Sequence, residues 1–418
     1  MVIAENLRNL HPSKSKRQEE RLQEIAKCLK RRNLENPAKK IIVITGTNGK
    51  TTCARILFNF LKAQNIAVGS FTSPHLWSIT ERIRPSTEIE LDQVLNQIAQ
   101  QEAKMELNFF EMLFLAALEI FKKKKYETLI LEIGIGGRLD IVNLIPNHIA
   151  IITSISYDHQ DLLGETLEQI GREKAGIIQP NQTVICGEKR PPNSILKECE
   201  LKKSHLFLCE KDFAVKTEND RTIFISKEHK INLPELLSHP DTVGSAIMAL
   251  TILFPNLLSE KNLQTTLKDF LLQGRCQIIN LGKGKLIIDV AHNQSAIQHL
   301  ADKIKKIQPD LKNIYALIGL KKNRKPEIFK PLCKIVKRWF ISDLAYSEML
   351  TNDELENHLK AYPGKITRLV TKSSLINRLN RLSNELKEGD LFLIAGSFRI
   401  VETIKESKIY EKVKKNPI

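Results

Sequence analysis

Long apolar runs are missing from this 418-residue chain. The best stretch, positions 109–121, spans thirteen residues and is broken by Glu111 and Glu119, whereas about 18 uninterrupted apolar residues are needed to cross a bilayer. No membrane association is expected. The opening MVIAENLRNL has no basic patch followed by an apolar stretch, so no secretory signal is read there. Cysteine is sparse and scattered: seven residues, at 28, 53, 186, 199, 209, 276 and 333, never spaced as Cys-x-x-Cys. That argues against a disulfide frame or a zinc ribbon and predicts reduced thiols in a cytoplasm. Aromatic residues make up 6 % of the chain and nowhere interleave with the basic ones. The net charge of +16, from 64 Lys and Arg against 48 Asp and Glu, therefore reads as solvated surface, and no nucleic-acid partner is expected.

What remains is globular in composition, with 42 % hydrophobic and 27 % charged residues. The length suits two or three domains. Residues 14–32 carry Leu22, Ile25, Cys28 and Leu29 at helical spacing and predict one amphipathic helix. Short β-branched runs then alternate with helical stretches. Strands are expected at 41–45, near Val68, at 128–133 and at 149–155. Helices are expected from Thr51, at 91–104, 109–122 and 165–177. This is the pattern of an α/β fold with a mostly parallel sheet. Residues 205–232 read as short β pieces and 241–272 as helices. A second α/β alternation has strands at 286–290, 314–318, 338–342, 366–370 and 391–395. The break is expected at 273/274, giving domains 1–273 and 274–418.

The strongest local signal is Ile41-Ile-Val-Ile-Thr-Gly46-Thr47-Asn48-Gly49-Lys50-Thr51-Thr52. A hydrophobic strand runs into a glycine-rich turn, and Lys-Thr-Thr opens a helix. Glycines let backbone N–H groups converge on phosphate oxygens, the helix N-terminus adds its dipole, Lys50 neutralises charge and Thr51 offers a hydroxyl to Mg²⁺. The spacing is shorter than the general GxxxxGK[ST] pattern, but the chemistry predicts ATP binding. Glu132 closes a strand, so its carboxylate should lie at the carboxyl edge of the sheet, where ligands bind in open α/β sheets and where it can hold Mg²⁺.

The rest of the chain narrows the reading. Thr72-Ser73-Pro74-His75-Leu76, Glu81-Arg82-Ile83, Phe110-Glu111 and Leu131-Glu132-Ile-Gly134-Ile-Gly136-Gly137-Arg138-Leu139-Asp140 resemble segments of the folylpolyglutamate synthase/dihydrofolate synthase family. So do Asp158-His159, Leu163-Gly164-Glu-Thr166-Leu167, Glu173-Lys174-Ala175-Gly176-Ile177, Gly274-Arg275, Asp289-Val-Ala291-His292-Asn293 and Ala395-Gly396-Ser397. The resemblance runs in order from about 41 to 400. It implies the Mur-ligase superfamily: a P-loop ATPase domain, then a C-terminal Rossmann-like domain, forming an amide to L-glutamate through an acyl phosphate.

By that resemblance the nucleotide contacts are Gly46, Thr47, Asn48, Gly49, Lys50, Thr51, Thr52, Arg275, Asp289 and His292. The metal ligands are Thr51, Ser73, Glu132 and His159. Catalytic roles fall to Lys50, Lys174, His159 and Arg275. Composition alone would put Lys174 on the surface, whereas the resemblance makes it a lysine carbamylated by CO₂, an anionic oxygen donor for Mg²⁺. ATP and Mg²⁺ are the implied cofactors, with room for a monovalent cation; the partners are ATP, L-glutamate and a pterin or folate carboxylate, handled by a monomer. Three departures stand out. Thr51-Thr52 replaces the family's Gly-Ser, as in the Mur peptide ligases. Lys14–Arg21 replaces a Gly-Leu-x-Arg stretch that helps hold the pterin. Ser245-Ala246 stands for a nucleotide-contacting Asn-Ala, with a hydroxyl still able to hydrogen-bond. A Mur-type amino-acid ligase acting on a UDP-sugar peptide, or a ligase with another carboxylate acceptor, is the alternative. Whether dihydropteroate, reduced folate or both are accepted is left open.

Overall fold

Runs such as Ile41–Ile44, Leu129–Leu131 and Ile149–Ile152 are apolar on both alternating faces, so each strand must be covered on both sides, which is what helical crossovers of a parallel sheet provide. The computed structural model describes residues 18–219, 221–236, 238–268, 270–307 and 312–415. They form two compact units. One runs to Ser156 and resumes over Leu162–Lys268; the other takes Tyr157–Asp161 and the chain after position 269. The short loop segment 157–161 thus belongs with the second unit although the first surrounds it in sequence.

The first unit holds a seven-stranded sheet of β1 (Lys40–Thr45), β2 (Val68–Phe71), β3 (Ile83–Arg84), β4 (Thr128–Glu132), β5 (Ile149–Ile152), β6 (Thr183–Cys186) and β7 (His205–Leu208), in the order 3-2-4-1-5-6-7. Every pairing is parallel except that of β2 with the edge strand β3. β1 lies between β4 and β5, so its carboxyl end is flanked by both of theirs. Helix Phe109–Lys123 packs an almost unbroken apolar surface, Met112 to Leu118, into the core below this sheet. Its start is fixed by a reciprocal cap, Asn108 accepting from Glu111 N and Glu111 accepting from Asn108 N, a device worth about 1 kcal/mol. A small antiparallel sheet follows, β8 (Phe213–Glu218), β9 (Arg221–Ser226) and β10 (Lys230–Leu233). The helices Pro240–Leu253 and Glu260–Leu267 complete the unit.

The second unit is a six-stranded sheet of β11 (Gln277–Leu281), β12 (Gly284–Ile288), β13 (Asn313–Ile318), β14 (Arg338–Ile341), β15 (Lys365–Arg368) and β16 (Asp390–Ala395), ordered 11-12-16-13-14-15. Only β11 is antiparallel. The core is built on Trp339, Phe329, Leu391 and Leu393. The expected strands and helices appear within a few residues; the helix expected over 165–177 is Leu167–Ala175, and a separate short helix, Gln160–Leu163, precedes it. Thr166 caps that helix with Gln169, which ends any continuity through Gly164. The helix expected over 14–32 is seen as Gln18–Arg31, its first residues lying outside the described part. All seven cysteines are free and buried. Burial pushes the thiols up, to about 11 for Cys28, Cys199, Cys276 and Cys333 and to about 12 for Cys186 and Cys209. Among the described residues no helix is long and apolar enough to cross a membrane.

Candidate active site

Between β1 and the helix Lys50–Ala63 the chain turns over Gly46 and Gly49, both at positive φ, +143° and +87°. A side chain is also excluded by space: a Cβ on Gly46 would come 2.0 Å from Thr153 Oγ1, and one on Gly49 2.5 Å from Thr242 Oγ1. The segment after β5 holds the loop in place. Thr47 N donates to Ser154 O (2.8 Å), Asn48 N to Ser154 Oγ (3.0 Å), and Thr153 Oγ1 to Asn48 O (2.6 Å). Gly49 is the N-cap of the helix and has no side chain with which to occupy its first N–H groups. Those donors and the helix dipole therefore face the turn, the arrangement that binds phosphate. Lys50 folds back, its Nζ donating to Gly46 O (2.9 Å) and Thr47 O (3.3 Å). Thr52 lies buried on the inner side of the same helix.

The end of β4 brings Glu132 alongside. Its carboxylate is 1 % exposed, accepting from Thr51 Oγ1 at 3.0 Å and from Ser73 N at 3.2 Å. Three of the four expected metal-binding residues thus converge around one buried carboxylate. Two hydroxyls and a carboxylate are hard oxygen donors, and the set fits a Mg²⁺-like cation. Ser73 is placed there by the Thr72–Arg84 turn, whose Glu81 carboxylate accepts from the N–H groups of Leu76, Trp77 and Ser78 (2.8–2.9 Å). Arg82 is buried, donating to His75 Nδ1 at 2.8 Å and stacking over Phe109. These motif residues are the scaffold of the turn.

Lys174 is 3 % exposed and donates from Nζ to Gly46 O at 3.0 Å, so the surface position suggested by composition is wrong. Its helix can come that close because Gly137 and Gly176 lack side chains. A Cβ on Gly137 would meet Glu173 O at 2.7 Å, and one on Gly176 would meet Arg138 Cβ at 2.4 Å. The turn between them is set by Asp140, which accepts from the N–H groups of Gly134, Ile135 and Val142 (2.9–3.2 Å). Burial pushes its carboxyl up to about 6 against the pull of those donors and of the Lys50 charge. The Ser245 hydroxyl is fully buried and donates to Asp241 O at 2.7 Å. Arg21, the end of the basic stretch 14–21, is committed to a two-pronged ion pair with Glu111 (2.9 and 2.6 Å) and to Met105 O; positions 14–17 lie outside the described residues.

The second unit gathers its own polar cluster at the carboxyl ends of β12 and β13. Asp289 accepts from Cys276 N and Ala291 N, both at 2.7 Å, which ties the residue after Arg275 to the turn carrying His292. Burial raises the Asp289 carboxyl, with the Arg275 charge opposing. Arg275 lies over the Phe398 ring at 5.3 Å, and His292 tilts against the same ring. His292 Nδ1 faces Val290 O at 2.6 Å, and since a carbonyl only accepts, that nitrogen carries a proton. Its Nε2 is 3.7 Å from Asp158.

Asp158 is the centre of this cluster and was not singled out as a site residue by the sequence. It pairs with Arg324, accepts from Asn293 Nδ2 (3.2 Å) and caps His159 N (2.8 Å). Burial works against its charge, but His292, Arg324 and His159 hold its carboxyl well below the usual range. His159 stands at positive φ, +49°, with Nε2 3.4 Å from Arg324. The structure therefore groups His159 with the second unit's cations, while Thr51, Ser73 and Glu132 are grouped in the first. Arg324 sits in a lysine-rich loop, Lys321 to Lys325, that reads from sequence as surface.

A parallel sheet with a short glycine loop on a Lys-Thr-Thr helix, followed by a second α/β unit, is the architecture of a Mur ligase. The Mur ligase middle domain matches residues 44–231, and the Mur ligase glutamate ligase domain matches 274–398. The chain is 30 % identical to the dihydrofolate synthase/folylpolyglutamate synthase of Haemophilus influenzae, with 96 % of each chain covered, and 31 % identical to that of Escherichia coli, with 96 % and 93 % covered. It superposes on E. coli FolC in complex with DHPP and ADP with a TM-score of 0.86 at 29 % identity, covering 97 % and 96 % of the two chains. A bifunctional enzyme of this name from Yersinia pestis, solved with AMPPNP and Mn, gives 0.85 at 27 %, covering 97 % of each. The chain belongs to the dihydrofolate synthase/folylpolyglutamate synthase family. A ligase for UDP-sugar peptides is not favoured, because the relatives matched over nearly the whole chain carry the folate enzymes' name.

Proposed function

We propose that this chain joins L-glutamate to a folate-type carboxylate at the expense of ATP, through an acyl phosphate. The observation that carries the reading is the convergence of Thr51, Ser73 and Glu132 beside a phosphate loop whose Gly46 carbonyl is held by buried Lys174. The solved relatives with ADP, or with Mn and AMPPNP, support ATP and a divalent metal as cofactors. One with Mn, AMPPNP and L-glutamate supports the amino acid as co-substrate.

In this reading the loop N–H groups and Lys50 orient and neutralise the β- and γ-phosphates. An acceptor carboxylate oxygen attacks the γ-phosphorus, the bond to the β–γ bridging oxygen breaks, and ADP leaves. The glutamate amine then attacks the acyl carbon, the bond from that carbon to the phosphate oxygen breaks, inorganic phosphate leaves, and the nitrogen gives up a proton. Mg²⁺ held by Thr51, Ser73 and Glu132, with His159 as a further ligand, would supply charge neutralisation at the phosphates. Arg275 and His292 serve the nucleotide, with Asp289 setting the turn that carries both. Lys174 acts as a carbamate: its ammonium gives up two protons in all as Nζ bonds to CO₂, which converts a cation beside the loop into an anionic oxygen donor. Positioning and charge neutralisation provide most of the rate, as in other phosphoryl transfers. The seven buried free thiols support a reducing cytoplasm as the compartment, and the enzyme is read as a monomer.

The test is ATP-dependent phosphate release with L-glutamate, comparing dihydropteroate with tetrahydrofolate. Turnover with dihydropteroate makes it a dihydrofolate synthase; turnover with tetrahydrofolate alone leaves the polyglutamylating role. Silence with both, while ATP still binds, removes the folate reading.

A further inference from the structure

Two arginines of the first unit stand apart from this account. Arg55 lies on the helix Lys50–Ala63, four residues after Thr51 and so on the same face, about 6 Å further along the axis. Arg84 ends the edge strand β3, in register with Ser70 of β2, the strand that leads to Ser73. Both are partly buried. Apart from the Phe58 ring 6.0 Å from Arg55, neither guanidinium has a hydrogen-bond or ion-pair partner among the described residues, and Arg84 Nε is closed off from solvent. The acids that face them are Glu81 and Glu132. Both are engaged, Glu81 by three backbone N–H groups and Glu132 by Thr51 and Ser73. Burial, and then the charge of Arg84, push Arg55 down to about 9, so the two cations lie close enough to oppose each other while staying charged at neutral pH.

Buried polar groups are nearly always satisfied, and each guanidinium presents five N–H donors in a fixed fork. The helix of Arg55 packs on β2, which pairs with the strand of Arg84, and two such forks on neighbouring elements without a protein acceptor match a carboxylate, which can take N–H bonds from each. We propose that Arg55 and Arg84 form a subsite for the second carboxylate of a glutamylated folate, the one that does not react. This rests on the function proposed above. The reacting carboxylate must lie by Thr51 and Glu132. The two carboxylates of a glutamyl group are joined through three carbons, a span close to one helical turn, which is the offset from Thr51 to Arg55. Dihydropteroate has one carboxylate and leaves the subsite unused. The pair therefore discriminates between the two acceptors and favours the one already carrying glutamate.

The experiment is steady-state kinetics of the full-length protein with saturating ATP and L-glutamate, for wild type, R84Q, R55Q and R84K. The expected result is a KM for tetrahydrofolate raised about tenfold or more in R84Q and R55Q. The ratio of kcat/KM for tetrahydrofolate over that for dihydropteroate should fall by a similar factor, with R84K recovering part of the loss. Unchanged KM values, or equal losses with both acceptors, overturn the proposal. A raised KM for ATP instead assigns the pair to a nucleotide phosphate and overturns it too. ADP affinity equal to wild type shows that a variant is folded; if R84Q fails this check, R55Q decides. Wild type silent with both acceptors fails the functional reading itself and takes the subsite with it, an outcome distinct from an active wild type whose variants do not discriminate.

Discussion

The two units organise the carboxyl edges of their sheets around a single aspartate, and in opposite ways. In the first, Asp140 is held by three backbone N–H groups within a turn made of glycines. In the second, Asp158 is held by side chains, with Arg324, His292, Asn293 and His159 around it. The consequence shows in the protons: the Asp140 carboxyl is raised to about 6 and that of Asp158 is depressed. Backbone donors fix a shape but bring no net charge, so burial prevails at Asp140. A cluster of cations reverses the balance at Asp158. The first edge is a rigid cradle set by close packing; the second is an electrostatic cluster.

The largest effect should come from breaking the cradle. Gly46→Ala puts a methyl group into Thr153 Oγ1 and strains a φ of +143°. Displacement of the loop by about 1 Å should lower ATP-dependent phosphate release roughly 100-fold, while the second unit keeps its unfolding midpoint. Breaking the cluster should cost stability more locally. Asp158→Asn leaves Arg324 without its counter-charge and should destabilise the second unit by about 3 kcal/mol. The chain has two tryptophans, buried Trp77 in the first unit and buried Trp339 in the second. Urea titrations followed by fluorescence in Trp77→Phe and Trp339→Phe backgrounds therefore read each unit separately.

The pH behaviour sharpens the contrast because the signs differ. Asp140, with its folded pKa raised, contributes stability that is fully present below about 4 and is lost as pH rises through about 6. Asp140→Asn should remove that loss, about 3 kcal/mol, from the first unit's profile. Asp158, with its folded pKa depressed, contributes stability present above the ordinary carboxylate range and lost as pH falls below it. The Trp339 signal should show the acid loss in wild type and not in Asp158→Asn. The smallest effect is a cap: Thr351→Ala removes the acceptor for Glu354 N and should cost about 1 kcal/mol, seen by Trp339 alone.

Much of the first edge was legible because its parts are contiguous in sequence. A strand, two glycines and Lys50-Thr51 carry their own geometry, and Glu132 follows from ending a strand. Lys174 was legible only by resemblance, since nothing in its own helix shows that two distant glycines let it reach Gly46. The second edge was less legible. Arg324 lies among lysines that are indistinguishable from solvated surface, and Asp158 meets its partners across 135 and 166 positions. The antiparallel edge strand β11 and the strand β6 were missed because Gln277–Leu281 and Thr183–Cys186 are short and begin with polar residues, and their pairing partners decide them. Arg55 and Arg84 were invisible for a related reason: an arginine on a helix or an edge strand is ordinary, and only the lack of an acceptor in space marks the pair.

The fully buried thiols have a practical consequence. A maleimide probe reacts with an exposed thiolate, and burial keeps the native sulfhydryls protonated well above neutral pH. One cysteine introduced at an exposed position, such as Leu201 in the first unit or Val370 in the second, would then be the single labelling point on the native enzyme. A dye at either position would report on its own unit alone during turnover, with every natural cysteine left in place.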